Sequence, residues 1–166
     1  MGVHSGEVRE ADDVAGDIRE LDDPLRLDRQ VCFALSVAAR SVVALYRPVL
    51  EPMGLTHPQY LVMLALWERS PRSVKDLSAA LALDPGTLSP LLKRLEAAGL
   101  ITRRRDPADE RVLAVSLTGP GRQLRAEAEK VPPAIVARLG MEVADLETMH
   151  AALTGLIAAA RRTSVS

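Results

Sequence analysis

Apolar residues recur at helical spacing near the start of the chain. Over residues 25–46 they return every three or four positions, which predicts a long amphipathic helix. The stripe consists of Val31, Leu35, Ala38, Val42 and Leu45. Pro48 and Pro52 are expected to kink or end this helix, and Gly54 is expected to stop it.

Further helix starts are marked by polar residues at the N-cap position. Thr56 and Gln59 have the spacing of a capping box. Ser73 begins a short helix in the same way, and Asp84 begins a longer one that Gly99 ends. A side-chain oxygen at the N-cap accepts from free backbone N–H groups, whereas glycine readily adopts the left-handed conformation beyond the last turn.

Two short segments with strand-like patterns follow these helices. Ile101–Arg105 and residues 112–117 predict a hairpin whose loop is residues 106–110. Helices are expected after it, the last beginning near Glu142. Two short helices followed by a hairpin give the order of a winged helix-turn-helix, so the predicted fold class is mainly α with a small β-hairpin.

Charge is distributed unevenly along the chain. Although the net charge is −1, residues 1–23 contain eight acids and two bases, which leaves 14 acids and 19 bases in the rest. A basic body with an acidic tail suits nucleic-acid binding. Residues 1–24 also hold few large apolar groups, so we expect an acidic, largely disordered tail whose simplest role is solubility.

Composition argues against several other classes. Apolar residues make up 48% of the chain and aromatic residues 2%, which predicts a single domain with an aliphatic core. From the sequence, no apolar run approaches the roughly 18 residues of a membrane span, and the acidic N-terminus lacks the pattern of a signal peptide. One cysteine and three scattered histidines show no metal-ligand spacing. We expect a cytoplasmic protein without a cofactor.

The helix over residues 85–98 has two different faces. Leu88, Leu91, Leu92 and Leu95 are spaced to face a core, which leaves a polar outer face. The outer face consists of Gly86, Thr87, Ser89, Pro90, Lys93 and Arg94. An α-helix fits the major groove, and small, hydroxyl and basic side chains suit contacts with bases and phosphates, so these residues are candidate DNA contacts. An ordinary solvated face has the same composition.

Arginines flank the predicted hairpin loop. Arg103, Arg104 and Arg105 precede the loop, and Arg111 follows it. Arginine at a hairpin tip suits the negative potential of a narrow minor groove, and Asp109 is placed to orient the guanidinium of Arg111. The hairpin residues predicted to bind DNA are Arg103, Arg105, Asp109 and Arg111. A basic strand edge that discourages aggregation is the alternative.

The helix and the start of the hairpin form one continuous motif. Residues 83–103 read LDPGTLSPLLKRLEAAGLITR, and Asp109-Glu110-Arg111 follows. This motif resembles the signature of the MarR family, and the resemblance extends over residues 27–130. It implies a homodimeric winged helix-turn-helix regulator that binds double-stranded DNA at a pseudo-palindromic operator.

The resemblance also implies how the domain is organised. Residues 25–166 would form one domain, in which residues 55–121 are the DNA-binding lobe. Residues 25–54 and 122–166 would supply N- and C-terminal dimerisation helices that interlock with those of a second copy. The apolar stripes at both ends of the chain fit this arrangement.

The lone cysteine lies in a segment that resembles the organic hydroperoxide-sensing (OhrR) branch of that family. The resemblance implies that Cys32 is oxidised to a sulfenic acid and then capped by a low-molecular-weight thiol. It also implies contact with aromatic residues of the other subunit, at Tyr46 and at His57, where the branch has tyrosine. Ser36 replaces a further tyrosine. Cys32 and Tyr46 are about 21 Å apart along a straight helix, so only a contact across the dimer is feasible.

Other functions fit parts of the same sequence. In one, a MarR-type repressor is released by a small apolar or phenolic inducer bound between its two parts, and Cys32 is only structural. A thiol peroxidase is disfavoured because no base, nucleophile and orienting group are spaced together. A module that binds only protein is the remaining possibility. We expect a DNA-binding regulator, not an enzyme.

Overall fold

The computed structural model describes residues 23, 25–105 and 111–163. Apart from Asp23, the acidic tail expected to be disordered lies outside the described residues, as does the loop over residues 106–110. The chain divides into two compact units, one ending at Ala44 and one beginning at Leu45. The helices are α1 (Val31–Leu50), α2 (His57–Glu68), α3 (Val74–Leu81), α4 (Pro85–Ala97), α5 (Gly119–Gln123), α6 (Arg125–Ala128), α7 (Val131–Leu139) and α8 (Val143–Thr163), and the strands are β1 (Arg72–Ser73), β2 (Ile101–Arg105) and β3 (Leu113–Leu117).

Helix α1 begins and ends later than the hydrophobic pattern predicted. A 3-10 turn over Leu27–Arg29 precedes it, and the helix itself starts at Val31. Pro48 lies inside the helix, so of its two expected effects, a kink or an end, the end is excluded, and Pro52 lies in the 3-10 turn that follows the helix. A proline removes only its own N–H, and the helix has two more residues to form after it. Gly54, in the left-handed conformation (φ 68°), then ends the helical segment, as predicted.

The length of α1 also corrects the expectation about membrane spans. Helix α1 with the turn after it, Val31–Met53, is long and apolar enough to cross a membrane by length and composition alone. The helices that soluble proteins bury against other helices meet the same criterion. Arg40, Arg47 and Glu51 interrupt the segment with charged side chains, as in an amphipathic helix.

The predicted N-caps form as the sequence indicates. The capping box at Thr56 is complete, because its hydroxyl accepts from the backbone N of Gln59 and the Gln59 amide oxygen accepts from the backbone N of Thr56. Ser73 caps α3 by accepting from the backbone N of Asp76 at 3.0 Å. These local contacts fix where the helices before α4 begin.

The chain after the hairpin forms helices, as the sequence predicts. Helices α5 and α6 are separate, with Leu124 between them. Pro132 and Pro133 lie in the first turn of α7. That position tolerates proline because the first helical N–H groups have no partner within the helix.

The hairpin is part of a three-stranded sheet. β2 and β3 pair antiparallel, from Ile101 opposite Leu117 to Arg105 opposite Leu113. β1 pairs with the other edge of β3, which gives the strand order β1-β3-β2. The sequence did not predict β1, because two residues have no measurable periodicity and the strand exists only through its partner.

The core of the second unit is aliphatic, as the composition predicts. Leu88, Leu91, Leu92 and Leu95 of α4 are all buried, which confirms the two-faced reading of this helix. They contribute to a cluster with buried residues of α2, α3 and the sheet. The outward direction of the remaining α4 residues follows from this burial.

A junction of hydrogen bonds joins the base of the hairpin to α5. The Trp67 indole N–H donates to the carbonyl of Gly121 at 2.8 Å, and the Thr118 hydroxyl donates to the carbonyl of Gly99 at 2.6 Å. The backbone N of Thr118 also donates to the carbonyl of Leu100. A Cβ atom at Gly121 would overlap that Leu100 carbonyl, so α5 approaches the end of the α4 turn only because residue 121 is glycine.

We therefore expect Gly121→Ala to destabilise the fold. Forcing apart a packed backbone contact costs about 1–3 kcal/mol, which lowers Tm by several degrees in a thermal unfolding measurement. Gly119→Ala is the matched control, because a Cβ there meets nothing within 4 Å. Equal Tm values for the two variants would show that the junction is not tightly packed.

Candidate nucleic-acid interface and redox site

The outer face of α4 presents the residues that the sequence assigned to it. Ser89 is half-buried, and the other residues of this face are exposed. The exposed members are Gly86, Thr87, Pro90, Lys93 and Arg94. Pro90 lies inside the continuous helix, and Lys93 and Arg94 stand side by side in its second half. The face therefore has small and hydroxyl groups toward its N-terminus and positive charge toward its C-terminus.

The start of α4 is held by a double contact between Asp84 and Thr87. The Asp84 carboxylate accepts from the backbone N of Thr87 at 2.9 Å and from its hydroxyl at 2.6 Å. The hydrogen bond from the Thr87 side chain is the main reason that the pKa of Asp84 is below its ordinary value. Because the hydroxyl proton is donated to Asp84, Thr87 presents its oxygen outward as a hydrogen-bond acceptor.

The hairpin places arginines at its distal end. Arg104 and Arg105 end β2 and are exposed, and Arg111 is exposed on the other side of the loop. Asp109, predicted to orient Arg111, lies outside the described residues. The described part of the hairpin thus carries positive charge at the loop end of the paired strands.

Arg103 has a different environment from the other arginines of β2. Its Nε and Nη2 donate to one carboxylate oxygen of Glu96 at 2.9 and 2.6 Å. Its backbone N donates to the other oxygen at 3.0 Å. The Arg103 side chain is 21% exposed, and the hydrogen bond from it holds the pKa of Glu96 below its ordinary value. The sequence assigned Arg103 to DNA and gave no role to Glu96.

An aromatic cluster lies at the turn from α1 to α2. The rings of Tyr46 and His57 meet edge to face with centroids 4.8 Å apart, and Tyr60 lies 6.0 Å from Tyr46. Trp67 extends the cluster from Tyr60 at 6.4 Å. The structure therefore brings together Tyr46 and His57, which the sequence paired only by resemblance. Tyr60 and Trp67 were not predicted as part of this group.

Burial sets the protonation of this cluster. It lowers the pKa of His57, so the imidazole is neutral at neutral pH and offers one N–H donor and one acceptor. Burial, and then the neighbouring Tyr46, raises the pKa of Tyr60. This environment favours a role of His57 as a neutral hydrogen-bonding group over a role as a cation.

Cys32 lies in the first turn of α1 and is exposed. The Ser36 hydroxyl, where the hydroperoxide-sensing branch has tyrosine, donates to the backbone carbonyl of Cys32 at 2.8 Å. The hydroxyl proton of Ser36 is thus donated within its own helix, to the backbone and not to the thiol. Among the described residues, no group of three or more histidine, cysteine or acidic side chains is arranged to hold a metal ion.

The fold and the basic outer face define a winged helix-turn-helix protein, and comparison with known proteins gives its family. The MarR family model matches residues 55–113. The organic hydroperoxide resistance transcriptional regulator of Bacillus subtilis (strain 168) is 40% identical over 135 residues, which cover 81% of this chain and 92% of that protein. The chain belongs to the MarR family.

Two further relatives extend the comparison. The regulator TtmR of Methylorubrum extorquens (strain PA1) is 48% identical over 120 residues, 72% of this chain and 62% of that protein. The structure of reduced AbfR bound to DNA superposes with a TM-score of 0.73 at 33% identity, covering 85% of this chain and 96% of that one. AbfR comes from Staphylococcus epidermidis.

These relatives establish the general function. The chain is a transcriptional regulator of the MarR family that binds DNA, and the fold class predicted from the sequence is confirmed. The prediction of a regulator and not an enzyme is confirmed by the same relatives.

The outer face of α4 generates a prediction about salt dependence. If Lys93 contacts a phosphate, Lys93→Gln leaves one counterion fewer to be released on binding. The slope of log K against log[salt] then becomes less negative by about one. Sequence preference should not change. The assay is fluorescence anisotropy over a salt series with a duplex that the wild type selects from a random pool. Lys130→Gln, at a lysine paired with Glu127 outside this face, is the control and should keep the wild-type slope.

A change in the preferred sequence of the Lys93 variant would contradict this assignment. It would place Lys93 among the residues that contact base edges.

Proposed function

We propose that the protein is a homodimeric repressor that binds a pseudo-palindromic operator and is released when an organic hydroperoxide oxidises Cys32. The observation that carries the proposal is the pairing of Tyr46 with His57, at the two positions where the resemblance implies aromatic contacts to a partner's cysteine. An exposed thiol in the first turn of α1 supplies the reactive group. The Bacillus subtilis relative, whose name refers to organic hydroperoxide resistance, supports the same reading.

Dimerisation is proposed from the unpartnered apolar faces of α1 and α8. Val31 of α1 is 65% exposed and Ile157 of α8 is 53% exposed. Exposed apolar residues continue along both helices, and those of α8 recur at helical spacing. They are Phe33, Val37 and Val43 in α1, and Val143, Met149, Leu153 and Leu156 in α8. Such continuous apolar faces mark protein interfaces, and a second copy presents matching faces across a two-fold axis.

Two copies also explain how the outer face of α4 reads DNA. A dimer carries two such helices, and consecutive half-sites are about 34 Å apart along B-DNA. Lys93 and Arg94 then meet phosphates, the N-terminal residues of α4 meet base edges, and Arg111 enters the minor groove with Asp109 beside it. Binding to chromosomal DNA assigns the protein to the cytoplasm.

The proposed oxidation follows ordinary thiol chemistry. The Cys32 thiolate attacks the distal oxygen of the hydroperoxide, the O–O bond breaks, and the alcohol leaves with a proton, so sulfur is oxidised to a sulfenic acid. A small thiol then attacks this sulfur, and water leaves as a mixed disulfide forms. With one cysteine in the chain, the second sulfur must come from another molecule.

The consequence for DNA follows from packing. In the proposed dimer, Tyr46 and His57 of one copy border Cys32 of the other, so an adduct on the sulfur adds bulk to a packed seam. Cores and interfaces of this density do not absorb extra volume without displacement. Because both half-sites must be contacted together, a displacement of a few ångströms between the α4 helices releases the operator.

A second candidate function is release by a small apolar ligand. A groove of about 300 Å³ lies between α2 and the α6–α7 segment. Tyr60, Leu64, Trp67 and Pro132 line it, and Arg125 lies at it in an ion pair with Glu129. The volume is near the lower end of sites for small ligands, and its apolar and aromatic lining suits a phenolic compound. In this case Cys32 has no part in release.

The assembly is tested by sedimentation. We expect the wild type to sediment as a dimer at micromolar concentration. Leu153→Glu should shift it toward the monomer, because it places a charge in the middle of the proposed apolar interface. Thr154→Glu, the next residue along α8 and off the apolar stripe, is the control and should remain dimeric. A stable wild-type monomer would overturn the dimer proposal.

The redox proposal is tested by operator release. Wild type, Cys32→Ser and Tyr46→Phe are bound to a selected duplex and treated with cumene hydroperoxide plus a small thiol. We expect release of the wild type and retention of Cys32→Ser, with mass spectrometry showing one thiol adduct on the wild type. Tyr46→Phe, which loses only the hydroxyl, should react more slowly, because that group is proposed to hydrogen-bond the sulfur.

Equal behaviour of the wild type and Cys32→Ser would overturn the redox proposal. Release by a phenolic ligand with no change in the cysteine would instead support the groove between α2 and the α6–α7 segment.

A further inference from the structure

We propose that Glu96 and Arg103 are positioning residues that fix the hairpin to α4, and that Arg103 does not itself contact DNA. Glu96 lies in the last turn of α4, and Arg103 is the central residue of β2. Their contact links the helix that enters the major groove to the hairpin proposed to enter the minor groove. The proposed role of this contact is to hold the two DNA-contacting elements in a fixed orientation relative to each other, which is more than DNA binding as such.

The register of the sheet shows which way Arg103 faces. Arg103 lies opposite Val115, and Ile101 lies opposite Leu117. Directly opposed residues of an antiparallel pair share one face of the sheet. Because Ile101, Val115 and Leu117 are all buried, Arg103 extends from the core face, toward α4 and not toward the opposite, open face.

The contact also gives a backbone N–H group at the edge of the sheet a hydrogen-bond acceptor. β2 is an outer strand in the order β1-β3-β2. The backbone N of Arg103 donates to Glu96 Oε1 at 3.0 Å, so one carboxylate oxygen pairs the strand edge and the other accepts both side-chain N–H groups. Three hydrogen bonds between two residues restrict the angle between helix and strand more than a single ion pair does. The side chains are partly shielded, at 21% exposure for Arg103 and 37% for Glu96.

The positions of the neighbouring arginines give the pair its function. Arg104 and Arg105 follow Arg103 directly, so the direction of β2 at Arg103 sets where the basic end of the hairpin lies relative to Lys93 on α4. If the hairpin were free to swing, DNA binding would have to order it. The entropic cost of that ordering would weaken its minor-groove contacts. The Glu96–Arg103 contact supplies that order before DNA arrives.

Electrostatics makes the proposal sharply testable. Removing a negative charge near DNA, as in Glu96→Gln, should strengthen binding if Glu96 has no positioning role, because phosphate attraction then increases. We expect the opposite result. Glu96→Gln should weaken binding of a duplex selected by the wild type by about tenfold, the size expected when a coupled pair is broken.

The experiment is a double-mutant cycle in the full-length protein. Glu96→Gln, Arg103→Gln and the double variant are measured by anisotropy over a salt series, and hydroxyl-radical footprinting reports the minor groove. We expect each single variant and the double variant to weaken binding similarly, with the same salt slope in all three variants and with reduced minor-groove protection. Glu127→Gln, which breaks an ion pair between Glu127 and Lys130 away from the hairpin, is the matched control and should bind like the wild type.

Several results would overturn the proposal. They are wild-type or tighter binding by Glu96→Gln, additive effects of the two single variants, or a salt slope that is smaller in magnitude by about one in Arg103→Gln than in Glu96→Gln, the sign of a phosphate contact made by Arg103 itself. Arg103→Lys keeps the charge but not the fork, and it serves if a glutamine variant unfolds, as judged by circular dichroism. Loss of minor-groove protection in Arg103→Lys supports positioning, whereas full wild-type binding contradicts it.

Discussion

The burial of one face of α4 is the constraint on which the DNA-binding surface depends. Leu88, Leu91, Leu92 and Leu95 are buried together, and each contributes about 1.5–3 kcal/mol by leaving water. Rotating the helix by one residue would expose part of this stripe and bury Lys93 or another charged group without a partner, which costs several kcal/mol. The outer face is therefore set by the inner one, before any contact with DNA is considered.

Features that depend on neighbouring residues could be predicted from the sequence. The caps at Thr56, Ser73 and Asp84 each use a partner three residues along, so local spacing is sufficient. The hairpin and the leucine stripe follow from periods of two and 3.6 residues. For Pro48 the sequence left both a kink and a helix end open, because the effect of a proline depends on how much helix is left after it, and a boundary of that kind is not encoded by the residue alone.

Features that depend on pairing between distant segments were missed. β1 exists only because β3 lies beside it. The three hydrogen bonds between Glu96 and Arg103 form only because the chain reverses at Gly99 and brings together residues that are seven positions apart. The sequence did contain a signal for this contact, because Glu96 lies near a helix end and a basic strand follows after the turn at Gly99. Opposite charges are common on surfaces, however, so that signal is not specific without the register of the sheet.

The redox site likewise combines residues that the sequence identified with a contact that only the fold creates. Resemblance named Tyr46 and His57, but their contact arises because the turn over Glu51–Met53 reverses the chain between α1 and α2. The result is one aromatic surface made from two helices, with a neutral imidazole next to a phenol. If this surface borders a partner's thiol, the rigidity of the DNA-binding lobe becomes part of the release mechanism. In the proposed mechanism, a hairpin held to α4 by Glu96 and Arg103 would not move alone, so a displacement at the seam would move helix and hairpin together. All contacts at one half-site would then be lost at once, and a small chemical change would release the operator without unfolding the lobe.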